Sequence, residues 1–238
     1  MGKLAVVSGG LDSSTMLWTM LCSYPDVRVI TFDYGQKHII ETQHATRVVE
    51  EARNFFEHGV HHDVVELPIL PGSALTEGGV EVPKDDYSVE TQKVTVVPNR
   101  NMVMLSVAAS YAIAYGCDEI WYAAHKGDRA TYPDCTNEFV HKMNLVLYEG
   151  NYDRVKIVAP FIDKGKHEIV KIGSEIGMPF ELTWSCYDPV IDISGDKIVN
   201  RSYMVGVNAS HCGVCGTCRE RKMAFKIAGV EDPTRYAQ

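Results

Sequence analysis

Two groups of residues have the types and spacing for chemistry. The first is Ser8-Gly9-Gly10-Leu11-Asp12-Ser13-Ser14-Thr15, which follows the apolar run Leu4–Val7 and leads into a helical pattern. The two glycines open backbone dihedrals closed to other residues and let a ligand approach the main chain. The free N–H groups of a helix start, joined by the hydroxyls of Ser8, Ser13 and Ser14, suit an anion such as phosphate. Asp12 would repel that anion, so it either holds a Mg2+ ion bound to the phosphate or caps the helix. The chain has no Gly-Lys-Ser/Thr, so this is not a Walker loop.

The second group is Cys212-x2-Cys215-x2-Cys218, with Gly213 and Gly216 permitting the turns between the thiols. Cys186, upstream of residues 187–211, is the best fourth ligand. Four thiolates in a closed tetrahedron make a structural Zn2+ site. Three other readings remain open. Iron–sulfur ferredoxins also use C-x2-C-x2-C, but there a fourth Cys precedes Pro, whereas Arg219-Glu220-Arg221 follows here. A C-x-x-C pair can carry redox chemistry. His211 could stand in for Cys186. Cys22 and Cys117 read as small buried side chains.

Something must place these groups. Short apolar runs at Leu4–Val7, Val27–Phe32, Asp63–Leu67, Glu119–Ala123 and Val155–Ala159 read as strands. Helical patterns lie between them at Ser13–Cys22, His38–Phe56, Asn101–Tyr115, Asn137–Tyr148 and Glu168–Ile176. The alternation predicts an α/β fold with a doubly wound parallel sheet. Ligands of such sheets bind beyond the carboxyl ends of the strands. The loops 8–14, 33–38, 124–135 and 160–166 should therefore share one rim. Residues 69–93 carry Gly, Pro and charge without a period, which fits a lid over the site. Within 187–211, VIDISGDKIV reads as a hairpin around Ser194-Gly195-Asp196.

Composition bounds the rest. The chain has 238 residues, 45% hydrophobic and 23% charged, which is ordinary globular usage for one domain or one domain with an appendage. Its net charge of −8 argues against nucleic acid as a partner. Seven cysteines, three of them clustered, do not form a disulfide framework. No run has the length of a signal core or a membrane span, so a cytoplasmic protein without a membrane partner is expected.

SGGxDS resembles the pyrophosphate loop of the ATP pyrophosphatases, which adenylate an oxygen of their substrate. Further segments narrow that likeness: FDYGQKHIIE (32–41), VPNRNMVML (97–105), TYPDC (131–135), GKHEIVKIGSEIG (165–177), TWSCYD (183–188), HCGVCGTCRERKMAF (211–225) and GVEDPTRY (229–236). In order, they resemble the QueC family of nitrile-forming enzymes in queuosine biosynthesis. The resemblance implies an adenine nucleotide alpha hydrolase-like domain over 1–180 and a zinc-binding region over 181–238. It implies a ligase using ATP, ammonia and 7-carboxy-7-deazaguanine, Zn2+ on Cys186, Cys212, Cys215 and Cys218, and a homodimer.

Roles follow for named residues. Ser8, Gly9, Gly10, Leu11, Asp12, Ser13 and Ser14 would cradle pyrophosphate. Lys166 would supply a point charge to a phosphate. Arg100 would clamp phosphate or the substrate carboxylate bidentately. Tyr34 and Tyr132 would stack on the base, with Gln36 beside them, and Asp134 would accept from its exocyclic amine. Each has a plainer reading: packing for the tyrosines, an ion pair for Arg100, a helix cap for Asp134, a buried thiol for Cys135, turn and cap roles for Asn99 and Asn101. His38 reads as a helix-start residue, and RERK (219–222) as a solvated face with Cys218 capping its turn. Two departures from the family pattern stand out: the long 187–211 segment, and Ala130 and Thr136 where many members have Gly and Arg. The rivals are an amide-forming relative, a tRNA thiolase and a non-catalytic nucleotide-binding module.

Overall fold

A computed structural model of the chain describes residues 1–36, 40–68, 73, 96–191 and 209–237. Apart from Ser73, the expected lid at 69–93 lies outside the described residues, as do His38 and the turn Ser194-Gly195-Asp196.

Among the described residues, five strands form one parallel sheet: β1 (Gly2–Val6), β2 (Asp26–Asp33), β3 (Gly59–Glu66), β4 (Cys117–Trp121) and β5 (Lys156–Val158). Their spatial order is β3-β2-β1-β4-β5. Ala5 of the central strand pairs with Val29 on one side and Trp121 on the other. Helices α1 (Leu11–Leu21), α2 (Ile40–Phe56), α3 (Arg100–Ala114), α4 (Asn137–Gly150) and α5 (Lys166–Glu175) alternate with the strands, and α6 (Gly216–Ala228) closes the chain.

The period of two along each strand divides the core. Ala5, Val27 and Val29 face a cluster built on α1, α2 and α5, with Trp18, Val48 and Ile169 fully buried. Leu4, Ile30 and Ile120 face the opposite cluster, with Leu105 of α3 and Leu147 of α4. Both faces of the sheet are covered, as the near-continuous apolar strands require. Ala224 and Phe225 of α6 join the first cluster, so the last helix shares the core of the sheet.

The strand order turns at β1, whose neighbours β2 and β4 leave it in opposite directions. The crevice at that turn is where such sheets bind ligands. The expected strand Asp63–Leu67 begins earlier, at Gly59. The polar start, His61-His62-Asp63, hid it: β3 is an edge strand, and edges tolerate polar residues on exposed faces. His62 is tied in by a hydrogen bond with Thr31 Oγ1 at 2.8 Å. Among the described residues, two further strands, β6 (Val190–Ile191) and β7 (Ala209–Ser210), pair antiparallel.

Candidate functional site

A cavity of about 270 Å³ opens at the carboxyl ends of β1 and β4. The rim loops meet there: Ser8, Asp12 and Ser13 from the first, Tyr34 and Gln36 from the second, His125, Asp128 and Tyr132 from the third. Lys166, at the start of α5, completes the ring.

The glycine loop is held by its own hydroxyls. Ser8 N–H donates to Ser13 Oγ at 3.1 Å, and Gly10 N–H donates to Ser8 Oγ at 3.3 Å. Gly9 has φ +88°, and a Cβ there would lie 2.2 Å from the Glu41 carbonyl oxygen. Its glycine is thus demanded by the packing of α2 as well as by ligand approach. Gly10 is the N-cap of α1, with no side-chain cap, so Asp12 is not the cap. Leu11 and Ser14 are buried at 2% and 0% exposure and do not line the cavity. Leu11 offers an anion its backbone N–H at the helix start, whereas the Ser14 N–H donates to Gly10 O at 3.1 Å.

Asp12 sits at the centre of a charged cluster. Its Oδ2 lies 3.5 Å from Lys166 Nζ and 3.7 Å from His125 Nε2. His125 Nε2 also lies 3.5 Å from Asp128. His125 Nδ1 accepts from Gly127 N–H at 3.0 Å, which places the ring proton on Nε2, facing both carboxylates. Lys166 donates to Glu220 at 2.6 Å. Burial alone would lower the Lys166 ammonium, but Asp12, Glu220 and Asp128 outweigh it and hold it above its ordinary range, fully charged. Burial raises the Asp128 carboxyl, opposed by His125 and Lys166. The buried Asp12 Oδ1 has no hydrogen-bond partner among the described residues. An orphaned carboxylate oxygen is where a hard cation fits.

The other end of the cavity is built around Arg100. Burial would lower its guanidinium, but Tyr34, Tyr187 and Asp134 nearby hold it firmly charged. Burial pushes Glu41 up to about 7, with Arg100 pulling it the other way. Tyr132 lines the cavity, as does Cys135, whose thiol burial pushes well above its ordinary range. That opposes a nucleophilic thiolate. Asn99, at φ +60°, forms the turn before α3, and Asn101 Nδ2 reaches Cys135 Sγ at 3.6 Å. Gln36 lines the cavity, but its amide closes a turn: Oε1 accepts from Tyr34 N–H at 2.8 Å and Nε2 donates to Phe32 O at 3.2 Å. Asp134 is not part of the cavity lining. It does not cap α4 either, because Thr136 accepts from Phe139 N–H at 3.2 Å.

Beside this cavity, Cys186, Cys212, Cys215 and Cys218 bring their sulfurs within 4.8 Å of one another. Four thiolates around one tetrahedral ion stand about 3.8 Å apart at ordinary zinc–sulfur lengths. Thiolates of an iron–sulfur cluster bind separate irons and stand wider. The donor set therefore fits a single metal ion. Cys212 N–H and Asp188 N–H donate to Cys186 Sγ at 3.2 and 3.3 Å, which stabilises charge on that sulfur. His211 is not a ligand: its Nε2 accepts from Ser185 N–H at 3.1 Å.

The segment Thr183–Tyr187 ties the two sites together. Trp184 N–H donates to Gly9 O at 2.9 Å, Cys186 joins the thiols, and Tyr187 lines the cavity. Arg221 is fully buried and donates to Thr183 Oγ1 at 2.8 Å and Phe180 O at 3.0 Å. RERK is thus solvated only in part: Arg219 and Lys222 are exposed, Glu220 is half-buried and Arg221 is buried, and Cys218 lies within α6, whose N-cap is Cys215. Cys117 is buried as expected, while Cys22 is exposed. Sequence reasoning missed His125, Asp128, Glu41, Tyr187 and Glu220.

The chain is similar to known proteins over nearly its whole length. The family model of the queuosine biosynthesis protein QueC matches residues 3–229. A 7-cyano-7-deazaguanine synthase of Psychromonas ingrahamii is 38% identical over 99% of both chains. One from Archaeoglobus fulgidus is 42% identical over 98% of this chain and 89% of its own. Among solved structures, an NMN synthetase from Francisella tularensis superposes with a TM-score of 0.48 at 13% identity, covering 97% of this chain and 78% of its own. No helix among the described residues is long and apolar enough to cross a membrane.

Proposed function

Because the chain belongs to the QueC family of queuosine biosynthesis, we propose that it makes 7-cyano-7-deazaguanine from 7-carboxy-7-deazaguanine, ammonia and ATP. The acid is adenylated with release of pyrophosphate, and ammonia displaces AMP to give an amide. A second ATP adenylates the amide oxygen, and elimination of AMP leaves the nitrile. The observation that carries this reading is a single cavity with two unlike ends. One end offers the glycine loop and Lys166 to a triphosphate; the other offers Arg100 and the aromatic rings of Tyr34, Tyr132 and Tyr187 to a planar acid.

Converting a carboxylate or amide oxygen into a phosphate ester needs positioning and charge neutralisation more than covalent help. The N–H groups at the start of α1, with Ser8 and Ser13, hold the phosphates, and Lys166 neutralises charge beside them. Arg100 orients the substrate carboxylate toward the α-phosphate. Mg2+ would bind at Asp12, whose Oδ1 is unpaired among the described residues, and would screen the phosphates from the carboxylates around them. Zn2+ would bind the four cysteines and fix the segments that carry them. We divide the chain into a nucleotide-binding region, 1–180, and a metal-binding region, 181–238. We further place the enzyme in the cytoplasm as a homodimer whose partners are small molecules and not nucleic acid.

The test is mass spectrometry of the products formed from ATP, magnesium, ammonium and 7-carboxy-7-deazaguanine. Nitrile with AMP is expected. Amide as the final product would replace this reading with that of an amide-forming ligase, and no turnover would reject it.

A further inference from the structure

Glu220 stands between the two sites. It lies two residues after Cys218 on α6 and lines the cavity. Its Oε2 accepts from Lys166 Nζ at 2.6 Å, the shortest contact that lysine makes among the described residues, against 3.5 Å to Asp12. Its other oxygen faces the turn at Gly127, where an added Cβ would come within 3.6 Å of it. The same turn of α6 begins at the metal-binding thiols, and Cys215 Sγ lies 3.3 Å from Thr217 Oγ1, also on the cavity wall.

We propose that Glu220 is a positioning residue for Lys166, and that the four-cysteine site sets the reach of that lysine into the phosphate end of the cavity through the first turn of α6. A lysine side chain is long and rotamer-rich, and aiming it has an entropic cost. A carboxylate fixed on a metal-anchored helix turn removes much of that freedom before the nucleotide arrives. The metal then acts on phosphate binding without touching a phosphate. This rests on the proposed ATP-binding role of the cavity.

The experiment is calorimetric binding of ATP with magnesium, base substrate omitted, to the metal-loaded enzyme and to E220A, E220Q, K166A and E220A/K166A. Metal content per chain is measured alongside. A positioning role predicts that E220A weakens ATP binding about ten- to a hundred-fold, the range for loss of a charge-assisted hydrogen bond. E220Q, which keeps an acceptor oxygen, should fall between E220A and the parent. In the K166A background E220A should cause no further loss, because the side chain it aims is gone. Tighter binding in E220A would mean that Glu220 only repels phosphate, and would overturn the proposal. So would an additive loss in the double variant. If E220A sheds its metal, E220Q against K166A carries the same readings. ATP binding without nitrile formation by the parent would reject the proposed reaction and leave this test legible.

Discussion

The charge states in the cavity are set by residues the chain brings from afar. Glu41 illustrates this. It belongs to the first turn of α2, yet its neighbours are Arg100 of α3 and Tyr34 after β2. Burial raises its carboxyl from 4.5 to about 7, more than Arg100 lowers it. The folded state therefore holds this proton more tightly than the unfolded chain. The resulting stabilisation is complete below about pH 4.5 and is lost as pH rises through about 7. E41Q removes the titration and should remove this slope. In urea unfolding, the stability of E41Q relative to the parent should climb between pH 4.5 and 7 and level off above it. A difference constant across that range would show that Glu41 ionises at its ordinary value.

At the scale of elements, the glycine loop was legible because its chemistry is local: a strand end, two glycines and a helix start are contiguous. What the sequence did not reveal is that Gly9 is also a packing residue for α2. A G9A variant must accept φ +88° and a methyl 2.2 Å from Glu41 O and 2.5 Å from Ala45 N. Displacing a helix backbone for that methyl should cost at least about 3 kcal/mol. G10A is a sharp control, since φ is −74° and the nearest contact would be 3.3 Å away at Ser8 Oγ. Its loss in urea unfolding should be under about 1 kcal/mol. Equal losses in the two variants would refute the packing account. Glu220 and Arg221 were hidden for a related reason. RERK looks solvated by charge alone, but buried Ala224 and Phe225 fix which way the helix faces. Residues three and four positions earlier, Glu220 and Arg221, must then turn inward. His125 and Asp128 gave no signal beyond their place in a rim loop, because the distant carboxylate that His125 meets, Asp12, is more than a hundred residues away.

At the scale of the whole molecule, the cysteine spacing announced a cluster at the carboxyl end able to hold a metal, and the described residues around it share the core of the sheet. Phe225 is 1% exposed in the same cluster as Met16 and Trp18. Arg221 bonds Thr183 and Phe180, and Trp184 bonds the glycine loop. Losing the metal should therefore not release a separate melting unit. Four thiols left in one buried pocket lose their common ligand, and the first turn of α6 loses its anchor with them. That strain falls on contacts shared with the central sheet. Calorimetry should show a single unfolding transition for both the metal-loaded and the chelator-treated protein. The treated one should melt lower by on the order of 10 °C or more, since a loss of several kcal/mol shifts a chain of this size by about 2–4 °C per kcal/mol. A second, early transition confined to the treated protein would mean that residues 181–238 fold on their own. In that case the contacts of Phe225 and Arg221 would be a docked interface, and metal loss would leave the glycine loop and its helix intact.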